Sequence, residues 1–178
     1  MIRRNDVVRK LIHIVCWLIF VGYCIQTGAL LFNYIYSLFR PIAAHNLYEG
    51  LNLALLYTES RAAYSLMFLV SILISALKAY VFYLVLGLFK VLDMVKPFSE
   101  NISRIISGIT TFSFATGIAS MIARQFVERL MEKGYDASAM ERFWNDSGAY
   151  LMMSAVLFVV SLVFRKGLEL QNETDLTV

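Results

Sequence analysis

One lysine and two serines are the residues best suited to bind a ligand within the apolar part of this 178-residue chain. Ser71, Ser75 and Lys78 follow one another at steps of four and three residues, which places them on one face of a helix. Polar residues in an apolar helix are predicted to face the interior of a helical bundle rather than lipid. One hypothesis is therefore a binding site for an anionic headgroup or a small ligand. The alternative is a lysine that reaches water through the tilt of its helix.

No acidic residue lies inside any predicted membrane span, so the sequence predicts no intramembrane salt bridge for Lys78. Its amine would have to be neutral, hydrated, or hydrogen-bonded to hydroxyl and carbonyl groups. The sequence has no nucleophile elbow, no phosphate-binding loop and no pair of intramembrane acids, so we expect no enzyme. Cys16 and Cys24 are about 12 Å apart in one predicted helix, too far for a disulfide. No cofactor or metal is expected.

The composition indicates an integral membrane protein. Hydrophobic residues make up 59% of the chain and the mean hydropathy is +0.65, whereas soluble domains are about 45–50% apolar. The apolar residues cluster in stretches that can cross a bilayer core about 30 Å thick. The net charge of +3 is small and argues against direct binding of nucleic acid. We expect a single membrane domain over residues 1–178.

Four apolar stretches predict an all-α, four-helix transmembrane bundle. The second stretch contains Lys78, but its fifteen Leu, Ile, Val and Phe residues outweigh the cost of one central lysine. A cleaved secretory signal is the alternative for the first stretch, although its length favours an uncleaved anchor. The predicted spans cover about residues 11–32, 64–89, 105–123 and 149–164, followed by a tail over 165–178.

Basic residues and leucine spacing predict the arrangement of the loops. Nine Lys and Arg residues flank the spans on one side and six on the other, which places both termini in the cytoplasm. In the first outer loop, Leu47, Leu51 and Leu55 recur at four-residue steps and favour a short helix. In the second outer loop, Ser138 and Glu141 have the spacing of a capping box, which predicts another.

Small residues recur along the third span at strict four-residue steps. This pattern allows helices to approach closely in lipid, so it predicts a packing face inside the bundle. A contact between two copies of the chain in a homo-oligomer is the alternative. The residues of this small-residue face are Ser107, Thr111, Ala115, Ala119 and Ala123.

Two segments beside the predicted helix ends resemble those of a bacterial membrane family catalogued as domain of unknown function 2975. The segments are KPFSENISRI, residues 96–105, and FRKGLELQNETDLTV, residues 164–178. The family shares a Pro-Phe turn followed by an Asn and a basic residue, and an ending of the form Gly-x-x-Leu-x-x-Glu-x-Asp-Leu-Thr-hydrophobic. The matching residues are Pro97, Phe98, Asn101, Arg104, Gly167, Leu170, Glu173, Asp175, Leu176, Thr177 and Val178.

The resemblance implies a four-helix protein of the bacterial cytoplasmic (inner) membrane, often encoded beside a Cro-like helix-turn-helix regulator. The family's activity is not established. We hypothesise that the Pro-Phe loop and the acidic tail form a cytoplasmic docking surface for such a regulator, with leucines as anchors and acids facing a basic partner. One alternative is intramolecular, with the tail folded back onto Lys96 or Arg104. Another is a ligand- or lipid-binding protein or small oligomeric carrier that uses Lys78.

Overall fold

The computed structural model describes residues 2–40, 47–48, 53–91 and 99–175, without the side chains of 2–6, 172, 174 and 175. Within these ranges the chain is helical and contains no β-strand. Four helical stretches are long and apolar enough to cross a membrane, which confirms the prediction of an all-α protein with four spans. They are Val7–Phe39, Arg61–Val91, Glu100–Glu132 and Ser138–Gln171.

The four long helices are joined by shorter helical elements. The helices are α1 (Ile2–Phe39), α2 (Ala54–Glu59), α3 (Arg61–Val91), α4 (Glu100–Glu132) and α5 (Ser147–Asp175), with a 3₁₀ helix at Ser138–Phe143 before α5. Each long helix exceeds the roughly 20 residues that a bilayer core requires. The helices are also longer than the predicted spans, because their polar ends continue the same helical hydrogen bonding.

Local capping residues determine where α4 begins and ends. The Ser99 hydroxyl accepts a hydrogen bond from the backbone N–H of Ile102 at 3.3 Å and so caps the start of the helix. Gly134 follows the helix with a φ of 89°, a conformation that favours glycine. The capping box expected at Ser138 is not formed. The Ser138 hydroxyl donates to the Asp136 carboxylate at 2.7 Å, which holds the pKa of that carboxyl below its ordinary value.

The long helices pack in the order α1, α3, α4, α5, each against the next. In the described part of the chain, α1 makes no close backbone contact with α4 or α5. The gap between α1 and α5 is instead bridged by side chains, since the rings of Tyr23 on α1 and Tyr150 on α5 have their centres 5.7 and 5.5 Å from the same atom, Lys78 Nζ. The two outer helices of this arrangement therefore meet only through side chains.

Side-chain contacts set the relative height of the four long helices. The contacts are His13 with Phe89, Gly108 with Leu84, and Gly117 with Leu151. Counting along each helix from these contacts, at about 1.5 Å per residue, places one basic residue per helix at a similar height. These four residues are Lys10, Lys90, Arg104 and Arg165, and they define what we call the basic end of the bundle.

The opposite end of the bundle is closed by a packed group of side chains that we call the cap cluster. It joins the ends of α1, α3 and α4 to α2 and the 3₁₀ helix, and its largest members are aromatic. The Tyr64 hydroxyl donates to the Ser37 hydroxyl at 2.7 Å, which ties α3 to α1 inside this cluster. The cap cluster includes Leu30, Tyr57, Tyr64, Phe68, Val127, Met140, Phe143 and Trp144.

α4 and α5 approach each other closely at Gly117. A Cβ atom there would stand 2.6 Å from Leu151 Cγ and 3.2 Å from the Leu151 backbone nitrogen. We therefore expect Gly117→Ala to destabilise the protein by about 1–3 kcal/mol, because α5 must move away. The melting midpoint of the purified protein in detergent measures this.

The matched control for that substitution is Gly87→Ala on α3. Gly87 also lies inside a membrane-spanning helix, and a Cβ there meets no atom within 4 Å. The alanine at position 87 should leave the midpoint unchanged or raise it slightly, since alanine favours the helical backbone. A loss at position 87 as large as at 117 would show that backbone freedom, rather than helix contact, explains the effect.

Candidate functional site

Lys78 forms a buried ion pair within the bundle. Its Nζ atom donates to both carboxylate oxygens of Asp146, at 2.6 and 2.7 Å. A third hydrogen bond, of 2.9 Å, reaches the backbone carbonyl of Phe143. The residue is 3% exposed, so these partners replace the water that an ammonium group would otherwise bind.

Two tyrosine rings complete the surroundings of the ammonium group. Nζ of Lys78 lies 5.7 Å from the ring centre of Tyr23 on α1 and 5.5 Å from that of Tyr150 on α5. Both distances are within the range in which a cation is attracted to an aromatic face. Because one ring belongs to α1 and the other to α5, Lys78 connects α3 with the two outer helices.

The prediction that no acidic side chain could reach Lys78 is wrong. Asp146 lies three residues before the predicted fourth span, which is why the sequence placed it in an outer loop. In the structure α5 begins at Ser147, and the Asp146 carbonyl accepts the Tyr150 backbone N–H at 3.2 Å. Asp146 therefore occupies the start of the helix, where its negative charge also complements the helix dipole.

The depth of the pair explains how a loop residue reaches an intramembrane lysine. Lys78 lies twelve residues before Lys90, or about 18 Å from the basic end. Its side chain points further from that end, because side chains lean toward the N-terminus of their helix. The 3₁₀ helix packs inward as part of the cap cluster, and this places Asp146, at the start of α5, near this height.

The two partners differ in their exposure to solvent. The side chain of Lys78 is 4% exposed and that of Asp146 is 39% exposed. Asp146 is thus the group that an external proton, ion or water molecule reaches first. Because the carboxylate compensates the charge of Lys78, the pair offers no excess positive charge to an anionic ligand.

The polar face predicted on α3 is buried. Ser71 and Ser75 are 0% and 1% exposed, and the Ser71 hydroxyl donates to the Met67 carbonyl of its own helix at 2.7 Å. Both residues therefore lie in the interior with Lys78. Neither serine has a contact with Lys78 among the described hydrogen bonds, so the site is built by Asp146 rather than by the serines.

The sequence reasoning missed a second polar face on α4. Ser113, Thr116 and Ser120 recur at three- and four-residue steps and are all fully buried. Among the residues that the structure describes, the hydroxyls of Ser113 and Ser120 find no hydrogen-bond partner, and the same holds for the indole N–H of Trp144. The helical spacing of the three hydroxyl residues was the signal that could have identified this face.

The small-residue face of α4 divides between the interior and the surface. Ala123 is buried, Ser107 and Ala119 are half-buried, and Thr111 and Ala115 are exposed. Gly117, which lies outside this four-residue series, makes the close contact with α5 instead. Because Thr111 and Ala115 are exposed, a contact between two copies of the chain at this face remains a prediction.

The residues of the predicted docking surface are only partly described. Asn101, Arg104 and Leu170 are exposed at the basic end, as is Glu173 further along α5. Gly167 is half-buried, and Asp175 ends α5, although its side chain lies outside the described part. The remaining residues, Pro97, Phe98, Leu176, Thr177 and Val178, lie outside the described residues.

A comparison with protein families identifies the chain's relatives. Residues 46–178 match the family described as "Protein of unknown function (DUF2975)". The match covers α2 to α5, including the Lys78–Asp146 pair and the residues of the predicted docking surface, and begins after α1. No curated protein and no solved structure matches the chain. The four apolar helices indicate a multi-pass membrane protein. The chain therefore belongs to the DUF2975 family.

Proposed function

We propose that the protein is a non-catalytic regulatory partner in the bacterial inner membrane, in which α5 connects the cap cluster to a cytoplasmic docking surface. The observation that carries this proposal is the continuity of α5, a single helix of 29 residues from Ser147 to Asp175. At about 1.5 Å per residue this helix is some 44 Å long, well beyond a bilayer core of about 30 Å. The last two to three turns of α5 therefore extend past the membrane.

The extension of α5 has the features of a partner-binding helix. Beyond Lys166, the exposed residues include Glu169, Leu170 and Glu173, so one apolar side chain lies between acidic ones. The Lys166 ammonium donates to the Glu169 carboxylate at 2.7 Å, which supports the helix at this point. A short amphipathic helix of this kind suits a groove on a partner, rather than pairing with a partner strand.

Charge supports a basic soluble partner. The positive-inside rule assigns the basic end to the cytoplasm, where the acidic extension of α5 would meet soluble proteins. A Cro-like helix-turn-helix regulator has a basic surface, and binding the acidic helix would compete with binding DNA. The protein itself would not bind nucleic acid. The proposed docking surface joins this helix to Asn101 and Arg104 at the start of α4.

A photo-cross-linking amino acid at position 170 tests the docking surface in native membranes. We expect it to capture one soluble regulator, identified by mass spectrometry, because Leu170 is 54% exposed on the extension. The same amino acid at position 162, also exposed on α5 but within the span, is the control and should capture lipid or membrane protein only. Glu169→Lys with Glu173→Lys should reduce the capture at least about tenfold, since two opposite charges replace attraction by repulsion.

The docking proposal fails if positions 170 and 162 capture the same proteins, or if the charge reversal leaves the captured amount unchanged. In either case the extension of α5 would be an internal structural element. A charge-preserving variant, Glu169→Asp with Glu173→Asp, should retain the capture. That result would show that the partner recognises the negative charge of these side chains.

A ligand-binding protein or small oligomeric carrier is the second candidate function. The buried hydroxyls of Ser113 and Ser120 favour it, because they have no hydrogen-bond partner within the described part of the chain and a polar ligand would satisfy them. The compensation of Lys78 by Asp146 argues against an anionic ligand at the lysine. The double variant Lys78→Met with Asp146→Asn removes both charges. If the capture of the regulator persists in this variant, the function does not need the charged centre on which the carrier hypothesis depends.

A further inference from the structure

A basic cleft lies between α1 and α3 at the basic end of the bundle. It has a volume of about 400 Å³ and is lined by Arg9, Lys10, His13, Phe89 and Lys90. Three of these five side chains are cationic, and they come from two different helices. The His13 and Phe89 rings meet at the inner wall, with their centres 5.5 Å apart and their planes at 68°.

No carboxylate compensates these cations among the residues that the structure describes. The contrast with Lys78 is direct, because that ammonium is matched by a carboxylate at 2.6 Å. Three like charges around one cleft repel each other and create a positive potential within it. An anion in the cleft would relieve this repulsion and gain a charge-assisted hydrogen bond from each cation.

Membrane orientation alone does not account for this convergence. The positive-inside rule calls for basic residues near the helix ends but does not require that they share a cavity. Arg104, Arg165 and Lys166 lie near the same height on α4 and α5, yet none lines the cleft. The clustering of basic residues is therefore specific to the α1–α3 groove. Arg104, Arg165 and Lys166 provide a control, because they carry the same charge outside the cleft.

The membrane-facing side of α1 extends away from the cleft as a continuous apolar surface. Leu11, Ile14 and Leu18 are 59%, 58% and 68% exposed, respectively, and follow one another toward the bilayer centre. A molecule with an anionic head in the cleft would lay its hydrocarbon chains along these residues. Basic pockets between membrane helices bind phospholipid headgroups in this manner.

We propose that the cleft formed by Arg9, Lys10 and Lys90 binds the phosphate of an anionic molecule. This phosphate chemistry has two sources, the headgroup of an anionic phospholipid and a soluble phosphate compound. The exposed apolar face of α1 favours the lipid. The site is separate from the Lys78–Asp146 pair and from the docking surface, and it does not depend on the proposed function.

Native mass spectrometry of the full chain in a non-ionic detergent tests the site. Phosphatidylglycerol should bind with a stoichiometry of one, and more tightly than zwitterionic phosphatidylcholine. The variant Arg9→Gln/Lys10→Gln/Lys90→Gln should bind phosphatidylglycerol about 100-fold more weakly, at roughly fivefold per basic side chain. The control Arg104→Gln/Arg165→Gln/Lys166→Gln removes equal charge near the same height and should change the affinity less than about threefold.

Inorganic phosphate distinguishes the two sources. If it binds without lipid and displaces phosphatidylglycerol, the site takes soluble phosphate compounds; if it does neither, the site takes lipid, and both results support a phosphate site. Equal losses in the two triple variants, or equal binding of the two lipids to the unaltered chain, would overturn the proposal. Should the first variant fail to insert, Lys90→Gln and the charge-retaining Lys90→Arg give the same contrast, with an expected fivefold loss and no loss.

Discussion

Asp146→Asn is expected to destabilise the protein by about 3 kcal/mol, because it leaves the Lys78 ammonium buried without its anion. Removal of one partner from a buried pair costs about 3–5 kcal/mol. The lower end of that range applies because the Asp146 side chain is 39% exposed, so water can replace part of what is lost. The melting midpoint in detergent should fall by roughly 6–12 °C, at about 2–4 °C per kcal/mol for a chain of this size.

The converse substitution should cost less. Lys78→Met removes the buried charge itself and leaves Asp146 with access to water, so the main loss is the hydrogen bond to the Phe143 carbonyl. That loss is about 1 kcal/mol. Combining Lys78→Met with Asp146→Asn should restore most of the stability lost in Asp146→Asn, since no buried charge then remains unpaired. This asymmetry distinguishes a buried pair from a surface one, where both single changes cost little.

The chain contains a surface ion pair for comparison. Arg124 Nε lies 3.1 Å from Glu128 Oε1 on α4, with both side chains more than half exposed. Glu128→Gln should cost about 0.5 kcal/mol or less, because exposed pairs contribute little. If Asp146→Asn shifts the midpoint no more than Glu128→Gln does, then water solvates the Lys78 ammonium. In that case the ion pair does not stabilise the position of α5.

The sequence predicted the helical elements well because their signals are local. Hydrophobic runs of more than twenty residues identify membrane spans without reference to the rest of the chain. Ser99 and Gly134 mark the ends of α4 through the hydrogen bond of a cap and a positive φ, which depend only on neighbouring residues. The same reasoning found the polar face of α3 that includes Lys78.

The partner of Lys78 could not be predicted because it is 68 residues away and its position depends on tertiary packing. Hydropathy alone begins the fourth span near Ala149, whereas the cap cluster draws the residues before it inward. Trp144 and Phe143 are buried there, and their burial moves Asp146 to the level of the lysine. The length of α5 was underestimated for a related reason, since polar residues beyond Arg165 continue a helix that already exists.

Trp144→Ala is expected to be the most disruptive single change in the cap cluster. The indole is 1% exposed and is among the largest fully buried side chains. Truncation of a buried tryptophan to alanine leaves a cavity and costs about 3–5 kcal/mol. Because Trp144 precedes Asp146 by two residues, the cavity should also loosen the start of α5. We expect a midpoint about 6–20 °C lower, measured in detergent as for Asp146→Asn.

Trp144→Phe is the matched control, because it retains an aromatic ring and removes the indole N–H. That N–H has no hydrogen-bond partner among the described residues, so its removal eliminates a cost of about 1–3 kcal/mol. The smaller ring gives up some packing, and the two effects should nearly cancel. A loss for Trp144→Phe as large as for Trp144→Ala would instead mean that the N–H has an essential partner, such as a bound water molecule or ligand.

The same pair of variants tests whether α5 carries information from the cap cluster to the docking surface. If α5 moves as a rigid helix, loosening its first turn by Trp144→Ala should change the capture of the regulator at position 170 by at least about threefold. That change corresponds to a shift of at least about 0.7 kcal/mol between two states of the helix. Trp144→Phe should leave the capture unchanged. Capture that is equal in both variants, with Trp144→Ala still inserted and folded, would separate docking from the cap and reduce α5 to a passive anchor. The cap cluster and the extension of α5 would then act independently of each other.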